Sequence, residues 1–176
     1  MDDSDFRLAR PGDAVALQPL VHRAYRGDSA RRGWTHEADL LDGQRIDLAS
    51  LETILADPTQ AVIVAERGGA AVGCVQVSNR RGGLAYLGML TVDPLLQGSG
   101  LGRRLIAAAE RHAVEQFGAR RMEMTVIVQR VELIDWYARR GYLPTGEVRP
   151  FPATDPRFGL PRRDDLAFVV LARWLA

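Results

Sequence analysis

The sequence predicts a single α/β domain in which a mixed, mostly antiparallel sheet is flanked by about four helices. Two β-rich runs, 61–67 and 70–78, are joined by Gly68-Gly69, a pattern typical of a tight antiparallel hairpin. A strand-like run over 84–92 is followed by an amphipathic helix and then by another strand-like run over 121–128. Because a helical crossover of this kind joins parallel strands, the sheet should also contain one parallel pair.

The composition agrees with one domain that spans residues 1–176. A chain of 176 residues can bury one sizeable core and is short for two. Its 47% apolar and 26% charged residues are typical of a soluble globular protein. No stretch approaches the ~20 apolar residues that a membrane span requires. We therefore expect no membrane partner.

The N-terminal part is expected to supply one short strand and two capped helices. Residues 6–9 have the pattern of a short first strand. Asp13 is placed to cap a helix over 14–25, and Asp47 is placed to cap a second helix over 48–56.

Two further helices and a last strand are expected in the C-terminal half. A helix is expected over 103–117, and Gly118 ends it. Apolar residues repeat at i+4 spacing from just before this run to its end, which predicts a helix face that packs on a sheet. This apolar stripe consists of Leu101, Leu105, Ala109, Ala113 and Phe117. Another helix is expected over 131–140, a long loop over the proline-rich segment 150–163, and a last strand over 166–171.

A glycine-rich turn between the strand that ends at Val92 and the long helix is the most informative segment of the chain. The turn consists of Gln97, Gly98, Ser99, Gly100, Leu101 and Gly102. Three glycines let the backbone come close to a ligand and direct successive N–H groups at it, and the helix that follows adds its positive dipole end. The turn therefore predicts binding of an anionic group, most simply a phosphate.

Spacing narrows the kind of phosphate ligand. A dinucleotide fingerprint would need a third glycine at position 103, which is Arg, and the nearest acidic residue at the right distance, Glu123, lies in the interior of a strand. A nucleoside-triphosphate loop would need Gly-Lys-Ser/Thr, and the chain contains no lysine. Both readings, which would make the protein an oxidoreductase or a kinase, are therefore poorly supported.

The pattern Gln-x-x-Gly-x-Gly after Val92-Asp93-Pro94 resembles the acetyl-CoA pyrophosphate loop of the GNAT superfamily of N-acetyltransferases. A second segment, from Trp136 to Tyr142, resembles that family's aromatic-Tyr-x-x-x-Gly-aromatic signature and lies about 35 residues beyond the turn. Two motifs in the right order are more specific than one. Together they cover roughly residues 60–145.

The resemblance implies a fold and a co-substrate. It implies a sheet whose parallel strand pair is splayed at one end, where the pantetheine arm of acetyl-CoA enters, and it implies that amides of the glycine-rich turn hold the pyrophosphate. The residues implied to bind acetyl-CoA outside the turn are Leu90, Thr91, Val92, Arg103 and Arg130. Arg130 departs from the family, since many relatives carry an asparagine at that position. The alternatives for this arginine are contact with a phosphate and an ion pair with Glu132 or a nearby acid.

Acetyl transfer from a thioester to an amine needs an uncharged nitrogen and a proton for the departing thiolate. Tyr137 matches the family tyrosine that protonates the sulfur of coenzyme A, and a phenol with a pKa near ~10 is protonated at neutral pH. The alternative for Tyr137 is a core aromatic residue that packs beside Trp136 and Tyr142.

The proton acceptor is harder to identify. Some family members carry a glutamate eleven residues before the first residue of the turn, and this chain has Tyr86 there. Glu123 on the following strand and Glu37 or Asp39 on the preceding loop are candidates. The alternatives are that each is a solvated charge and that an ordered water chain accepts the proton.

Charge and cysteine content exclude other partners and sites. With 23 basic and 22 acidic residues the net charge is +1, which argues against nucleic acid held by a broad positive field. Cys74 is the only cysteine and the three histidines are not spaced as ligands, so we expect no metal. The acidic start, Met1 to Asp5, is unlike a signal peptide and predicts a cytoplasmic location.

These observations predict an acetyl-CoA-dependent N-acetyltransferase whose acceptor is a primary amine of a small molecule or peptide, which attacks directly in a ternary complex. The rival reading is a non-catalytic module that binds acyl-CoA. The loop 26–44, predicted to contain a short helical turn, is where family members place the acceptor-binding lid; its acidic residues would suit a cationic amine. Edge strands near the C-terminus are compatible with a homodimer.

Overall fold

The computed structural model describes residues 3–176. Its central element is a seven-stranded mixed sheet. The strands are β1 (Asp5–Leu8), β2 (Leu41–Asp42), β3 (Gln60–Arg67), β4 (Ala70–Asn79), β5 (Leu84–Val92), β6 (Arg121–Ile127), β7 (Leu143–Pro150), β8 (Leu160–Pro161) and β9 (Ala167–Trp174). The helices are α1 (Ala14–Tyr25), α2 (Gly27–Ala30), α3 (Leu48–Ala56), α4 (Leu101–Phe117) and α5 (Val131–Ala138). None of the described helices has the length and apolarity that a bilayer crossing requires. The acidic N-terminal run used above to predict location includes Met1 and Asp2, which lie outside the described residues.

The predicted fold class is confirmed by the strand order β1-β3-β4-β5-β6-β9-β7. All neighbouring strands in this sheet are antiparallel except β5 and β6. The parallel register runs only from Leu84 opposite Arg121 to Tyr86 opposite Glu123. Beyond Tyr86 the two strands continue without pairing, so the sheet is splayed at that end.

A bulge in β5 accompanies this splay. Thr91 lies opposite Cys74 and Gly88 lies opposite Gln76, so Met89 and Leu90 together face a single residue of β4. Met89 has a φ of +50°, in the left-handed region that L-residues seldom adopt. An extra residue of this kind bends its strand and takes backbone groups out of the ladder. The bulge therefore takes Met89 and Leu90 out of the regular β4 ladder, which resumes at Thr91 and Val92.

Apolar clusters cover both faces of the sheet. The predicted stripe on α4 packs on one face, where Leu101, Leu105, Ala109 and Ala113 are buried and Phe117 is partly buried. Side chains from α1 and α3, including Leu17 and Leu51, pack on the other face. That second cluster contains Cys74, and burial raises the pKa of its thiol to about 12.

The helix ends agree with the sequence in part. Asp47 caps α3, since its carboxylate accepts a hydrogen bond from the Ser50 N–H at 2.6 Å. Gly118 ends α4 with a φ of +61°, as expected of a glycine C-cap. Asp13 stands at the start of α1 but does not cap it: its carboxylate instead pairs with Arg7 at 2.7 Å.

Two segments predicted as loops contain short strands, and the short helical turn expected in the loop 26–44 is present as α2. The loop 26–44 includes α2 and also β2, and the proline-rich tail includes β8, which pairs with β2. The last strand, β9, runs to Trp174, beyond the predicted end. Strands of two residues carry too little alternation to be recognised, because only their distant partner defines them.

Candidate active site

The glycine-rich turn has the backbone that an anion site requires. Gly98 and Gly100 have φ values of +85° and +86°, and a Cβ added to either would meet no atom of the described protein within 4 Å. Arg104 N–H bonds back to Gly100 O at 3.2 Å, at the first turn of α4. The N–H groups ahead of it at the start of a helix have no carbonyl of the helix to bond. These donors therefore lie at the positive end of α4 without a partner inside the helix.

The side chain of Gln97 ties this turn to the loop after α2. Its Oε1 accepts a hydrogen bond from Trp34 N–H at 2.9 Å, and its Nε2 donates to Val92 O at 3.4 Å. The approach is so close that a Cβ on Gly33 would lie 2.3 Å from Gln97 Oε1. A side chain at position 33 would thus displace Gln97 and loosen the turn.

A cleft of about 430 Å³ extends from this turn along the splayed end of β5 to α5. We call it the turn cleft and define it by Gly98, Gly100, Arg103, Trp136 and Arg140 at its outer part. The Arg140 guanidinium stacks 3.5 Å from the centre of the Trp136 ring. The outer part of the cleft thus combines backbone donors, two cationic side chains and an aromatic wall.

A second cavity of about 360 Å³ is lined by other parts of the chain. Five of its lining residues are arginines, and we therefore call it the arginine cavity: Arg26, Arg45, Arg80, Arg130 and Arg149. Its remaining wall includes three phenylalanines of the C-terminal segment and β9, namely Phe151, Phe158 and Phe168.

The two cavities meet at a junction, which we define as the residues that line both: Tyr25, Leu90, Arg130, Leu133 and Tyr137. Tyr25 Oη donates to Leu90 O at 2.5 Å, and burial raises the pKa of Tyr25 to about 12. Tyr137 is buried at 5% exposure, and burial also raises its pKa above the ordinary value. Both phenols are therefore protonated at neutral pH.

The sequence matches the acetyltransferase (GNAT) family over residues 20–142, which is more than half of the chain. The chain belongs to the GNAT family. This match covers the turn, the crossover helix α4 and the junction tyrosines. No curated protein matches the chain significantly.

Solved structures share the fold of this GNAT chain at low identity. The protein yncA from Salmonella typhimurium, solved with its cofactor acetyl-CoA, is 18% identical with a TM-score of 0.71, covering 99% of this chain and 95% of that chain. A GNAT-family acetyltransferase from Streptococcus pneumoniae is 19% identical with a TM-score of 0.71, covering 98% and 99%. The ribosomal-protein-S18-alanine N-acetyltransferase from Escherichia coli is 15% identical with a TM-score of 0.72, covering 98% and 94%.

A buried ion-pair network at the junction of this GNAT domain holds Glu37. Its Oε2 accepts from Arg26 at 2.8 Å and its Oε1 accepts from Arg130 at 3.1 Å. Arg130 also donates to Thr35 Oγ1 at 2.7 Å. Burial would raise the pKa of Glu37, but Arg130, Arg26 and Arg45 outweigh it and hold the pKa below its usual value. Glu37 is therefore an ionised, buried carboxylate and not a solvated charge.

Most of the residues implied to bind acetyl-CoA line the turn cleft. They are Leu90, Val92, Gln97, Gly98, Ser99, Gly100, Gly102, Arg103 and Arg130. The other two point their side chains elsewhere: Leu101 is buried in the α4 core, and Thr91 Oγ1 donates to Met89 O at 3.0 Å. The carbonyls of Leu90 and Val92 accept from Tyr25 and Gln97, respectively.

The candidate chemical groups are placed differently. Tyr137 lines both cavities, and Glu37 lines the arginine cavity. Glu123 lines neither cavity and pairs with Arg149 at 3.2 Å. Asp39 also lies outside both and pairs with Arg31.

Sequence reasoning missed Tyr25 and Arg26 at the end of α1. Tyr25 had no motif to mark it, and only the bulge in β5 brings Leu90 O to its hydroxyl. Arg26 is buried at 2% exposure and also donates to Gln44 O at 3.0 Å and Phe158 O at 3.2 Å. An arginine followed by Gly27 reads as a solvated helix end, so the sequence contains no signal for this role.

Proposed function

We propose that this GNAT protein transfers the acetyl group of acetyl-CoA to a primary amine of a small molecule or peptide, by direct attack in a ternary complex. The observation that carries the proposal is the junction, because two separate cavities converge on Leu90 and Tyr137. Two substrates can therefore meet there without exchanging places. Use of acetyl-CoA also carries with it the expectation of a cytoplasmic location.

The turn cleft fits the pyrophosphate of coenzyme A. The glycines at 98 and 100 leave space above the backbone, and free N–H groups at the start of α4 favour a negatively charged ligand. Arg103 and Arg140 line the same cleft and add positive charge. The structural neighbour yncA was solved with acetyl-CoA. The carbonyls of Leu90 and Val92 each keep a second lone pair for the pantetheine arm, since a carbonyl oxygen accepts two hydrogen bonds.

Bound acetyl-CoA supplies an acetyl thioester, whose carbonyl carbon is the electrophile. The protein must then present the acceptor nitrogen uncharged, although a lysine-like amine has a pKa of ~10.4. The arginines around the junction disfavour a second positive charge and so lower the pKa of an amine bound there. Holding both reactants in adjoining cavities supplies an effective molarity of ~10⁵ M or more.

Tyr137 is the proposed hydrogen-bond donor to the departing sulfur. Its buried position keeps its proton in place at neutral pH, and a thiol with a pKa of ~8.5 is a tolerable leaving group that needs little help. Its ring is fixed edge-on to those of Trp136 and Tyr142, with centroid distances of 5.1 Å and 6.1 Å. This packing holds the hydroxyl at the junction.

Glu37 is better placed than Glu123 to influence the acceptor, because it lines the arginine cavity. Both of its oxygens already accept from guanidinium groups, and its lowered pKa makes it a weak proton acceptor. We therefore assign Glu37 to holding Arg130 at the junction, and we propose that water in the cavity carries the amine proton away.

The rival function, a non-catalytic module that binds acyl-CoA, is favoured by this shortage of a free carboxylate. The two functions differ in one measurement. Purified protein is mixed with acetyl-CoA and a panel of amines, and the release of free coenzyme A thiol and the mass of the acetylated product are followed. Acceptor-dependent release supports the transferase, firm acetyl-CoA binding without release supports the module, and absence of binding overturns both.

A homodimer remains a prediction. Its surface would be the sheet edge at β7, where Leu143 and Val148 are exposed by 59% and 61%. Size-exclusion chromatography with light scattering tests it.

A further inference from the structure

We infer that the acceptor amine also carries a carboxylate and an apolar body, as an amino acid with an apolar or aromatic side chain does. This inference rests on the proposed function and adds the chemical class of the acceptor. It follows from the charges, the stacking and the apolar wall of the arginine cavity.

The charge balance of the cavity is positive. Its lining residues include five arginines and one carboxylate, Glu37. Arg26 and Arg130 share Glu37, and Arg149 bonds Glu123 and Glu147, which lie outside the lining.

Arg45 and Arg80 differ from the other three arginines. Within residues 3–176, neither has a carboxylate partner within ion-pair distance. A cavity with two unbalanced guanidinium groups attracts anions and repels polycations. This outcome reverses the expectation that acidic lid residues suit a cationic acceptor.

Both unpaired guanidinium groups are positioned by aromatic rings. Arg45 lies 5.3 Å from the centre of the Tyr25 ring, and Arg80 lies 5.0 Å from the centre of the Tyr86 ring. Each ring is itself anchored by its hydroxyl: Tyr25 bonds Leu90 O, and Tyr86 shares a 2.6 Å hydrogen bond with Thr125. Stacking on the face of a guanidinium leaves its edge donors available for a carboxylate.

Arg45 is linked to the junction through its supporting ring. Its supporting ring, Tyr25, is bonded at the junction, where the acceptor nitrogen must arrive. A carboxylate one carbon away from that nitrogen would lie beside Arg45. Arg80 stacks on a ring further from the junction, since Tyr86 precedes Leu90 on β5 by four residues, roughly 13 Å at ~3.3 Å per residue. We therefore assign carboxylate recognition to Arg45 and a supporting field to Arg80.

The phenylalanines that line the cavity suit an apolar side chain. Phe151 and Phe168 stack with ring centroids 5.4 Å apart, and Phe158 lines the same cavity. A wall of phenylalanines gains from burying an apolar or aromatic group. An amino acid such as phenylalanine presents the amine, the carboxylate and the apolar body in one molecule.

The test compares phenylalanine with phenylalanine amide and with phenethylamine, and spermidine serves as the cationic comparison. We expect kcat/KM to be at least about tenfold higher for phenylalanine, the size of effect that one charged hydrogen bond provides. Converting the carboxylate to an amide lowers the pKa of the amine and so favours the uncharged nucleophile, which biases that comparison against this result. Phenethylamine has an amine pKa slightly above that of phenylalanine, so the two comparison compounds bracket the effect of amine basicity. Equal or higher kcat/KM for the amide, phenethylamine or spermidine overturns the inference while leaving the proposed function intact.

The Arg45→Gln variant assigns the effect to its residue. KM for phenylalanine should rise about tenfold or more, and KM for phenethylamine should stay within about twofold. Arg163→Gln is the matched control, since Arg163 is an exposed arginine outside both cavities. If the discrimination between the two acceptors persists in Arg45→Gln, the assignment is overturned.

A binding measurement separates this inference from the proposed function. If no amine is acetylated, calorimetry with N-acetylphenylalanine and N-acetylphenylalanine amide still reports on the cavity. The inference expects the acid to bind at least about tenfold more tightly, with the difference lost in Arg45→Gln. Equal binding of the two compounds overturns the anionic class on its own, whereas tighter binding of the acid without turnover counts against the transferase alone.

Discussion

The turn cleft and the arginine cavity meet at the same junction but are built in different ways. The turn cleft takes its phosphate-binding part from one short segment, 97–103, which offers mainly backbone donors. The arginine cavity takes its charged side chains from positions between 26 and 149 and depends on their ion pairs. A site made of backbone groups can be recognised in the sequence from one short motif. A site made of side chains that are far apart in the sequence forms only when the chain folds. The following predictions test this difference.

The largest effect is expected from changing the backbone site. Gly100→Val introduces a branched side chain at a φ of +86°, which disfavours the turn conformation and blocks approach of a phosphate. We expect acetyl-CoA affinity to fall by about 100-fold or more, as measured by calorimetry. Gly12→Ala is the control, because its added Cβ also meets no atom and its φ is not positive. Unchanged affinity in Gly100→Val would remove the turn from the binding site.

A change in the ion pairs of the arginine cavity is expected to lower the stability of the fold instead. Glu37→Gln leaves Arg26 and Arg130 buried without their shared negative charge, which should lower the free energy of unfolding by about 3 kcal/mol. Denaturant unfolding measures this, with the exposed Glu52→Gln as control. A loss below about 0.5 kcal/mol would show that the network is not needed for folding.

The same carboxylate gives a pH dependence with a definite sign. The pKa of Glu37 is lower in the folded protein than the ~4.3 of an unfolded chain. Its contribution to stability is therefore fully present above pH ~4.3 and is lost as the pH falls through the folded-state pKa. The free energy of unfolding of the wild type should therefore fall more steeply in this acidic range than that of Glu37→Gln. Parallel pH profiles for the two proteins would contradict this.

At the junction the expected effect falls on turnover. Tyr137→Phe removes the hydroxyl and should lower kcat by about 10²-fold with little change in acetyl-CoA affinity. Tyr142→Phe is the matched control: it removes hydrogen bonds to Glu110 and Met122, so it should cost about 1 kcal/mol of stability and leave kcat near that of the wild type. Wild-type kcat in Tyr137→Phe would exclude Tyr137 as the donor.

The smallest effect is expected where the turn is tied to the neighbouring loop. Gln97→Ala removes the acceptor for Trp34 N–H and should weaken acetyl-CoA binding by up to about tenfold. Gln129→Ala, which loses a comparable hydrogen bond to Asp165 O, should leave binding unchanged. A change of 100-fold in Gln97→Ala would mean that the loop itself forms part of the backbone site.

The parts of the fold that the sequence predicted are those that depend on neighbours in the chain. The hairpin of β3 and β4, the stripe on α4 and the caps at Asp47 and Gly118 follow from local turn chemistry and helical periodicity. The pairing of β2 with β8 joins segments about 120 residues apart, so no local pattern marks it.

The site divides in the same way. The turn residues were predicted because glycine, helix start and spacing lie in one segment, and the fold brings most of them to one cleft. The buried state of Glu37 was not predicted, because its two partners, Arg26 and Arg130, lie 11 and 93 positions away. The hydrogen bond between Tyr25 and Leu90 O involves the bulge in β5, and no residue type in the sequence predicts that bulge.

Arg26 fastens three separate stretches of chain with one side chain: it holds Glu37, Gln44 O and Phe158 O together. The fit is so tight that a Cβ on Gly159 would lie 2.2 Å from its Nη1. Opening any one stretch would leave part of the buried Arg26 guanidinium without its hydrogen-bond partner, so the three should open and close as one cooperative unit. Their amide hydrogens should accordingly exchange with solvent at a common rate, distinct from that of the sheet they cover.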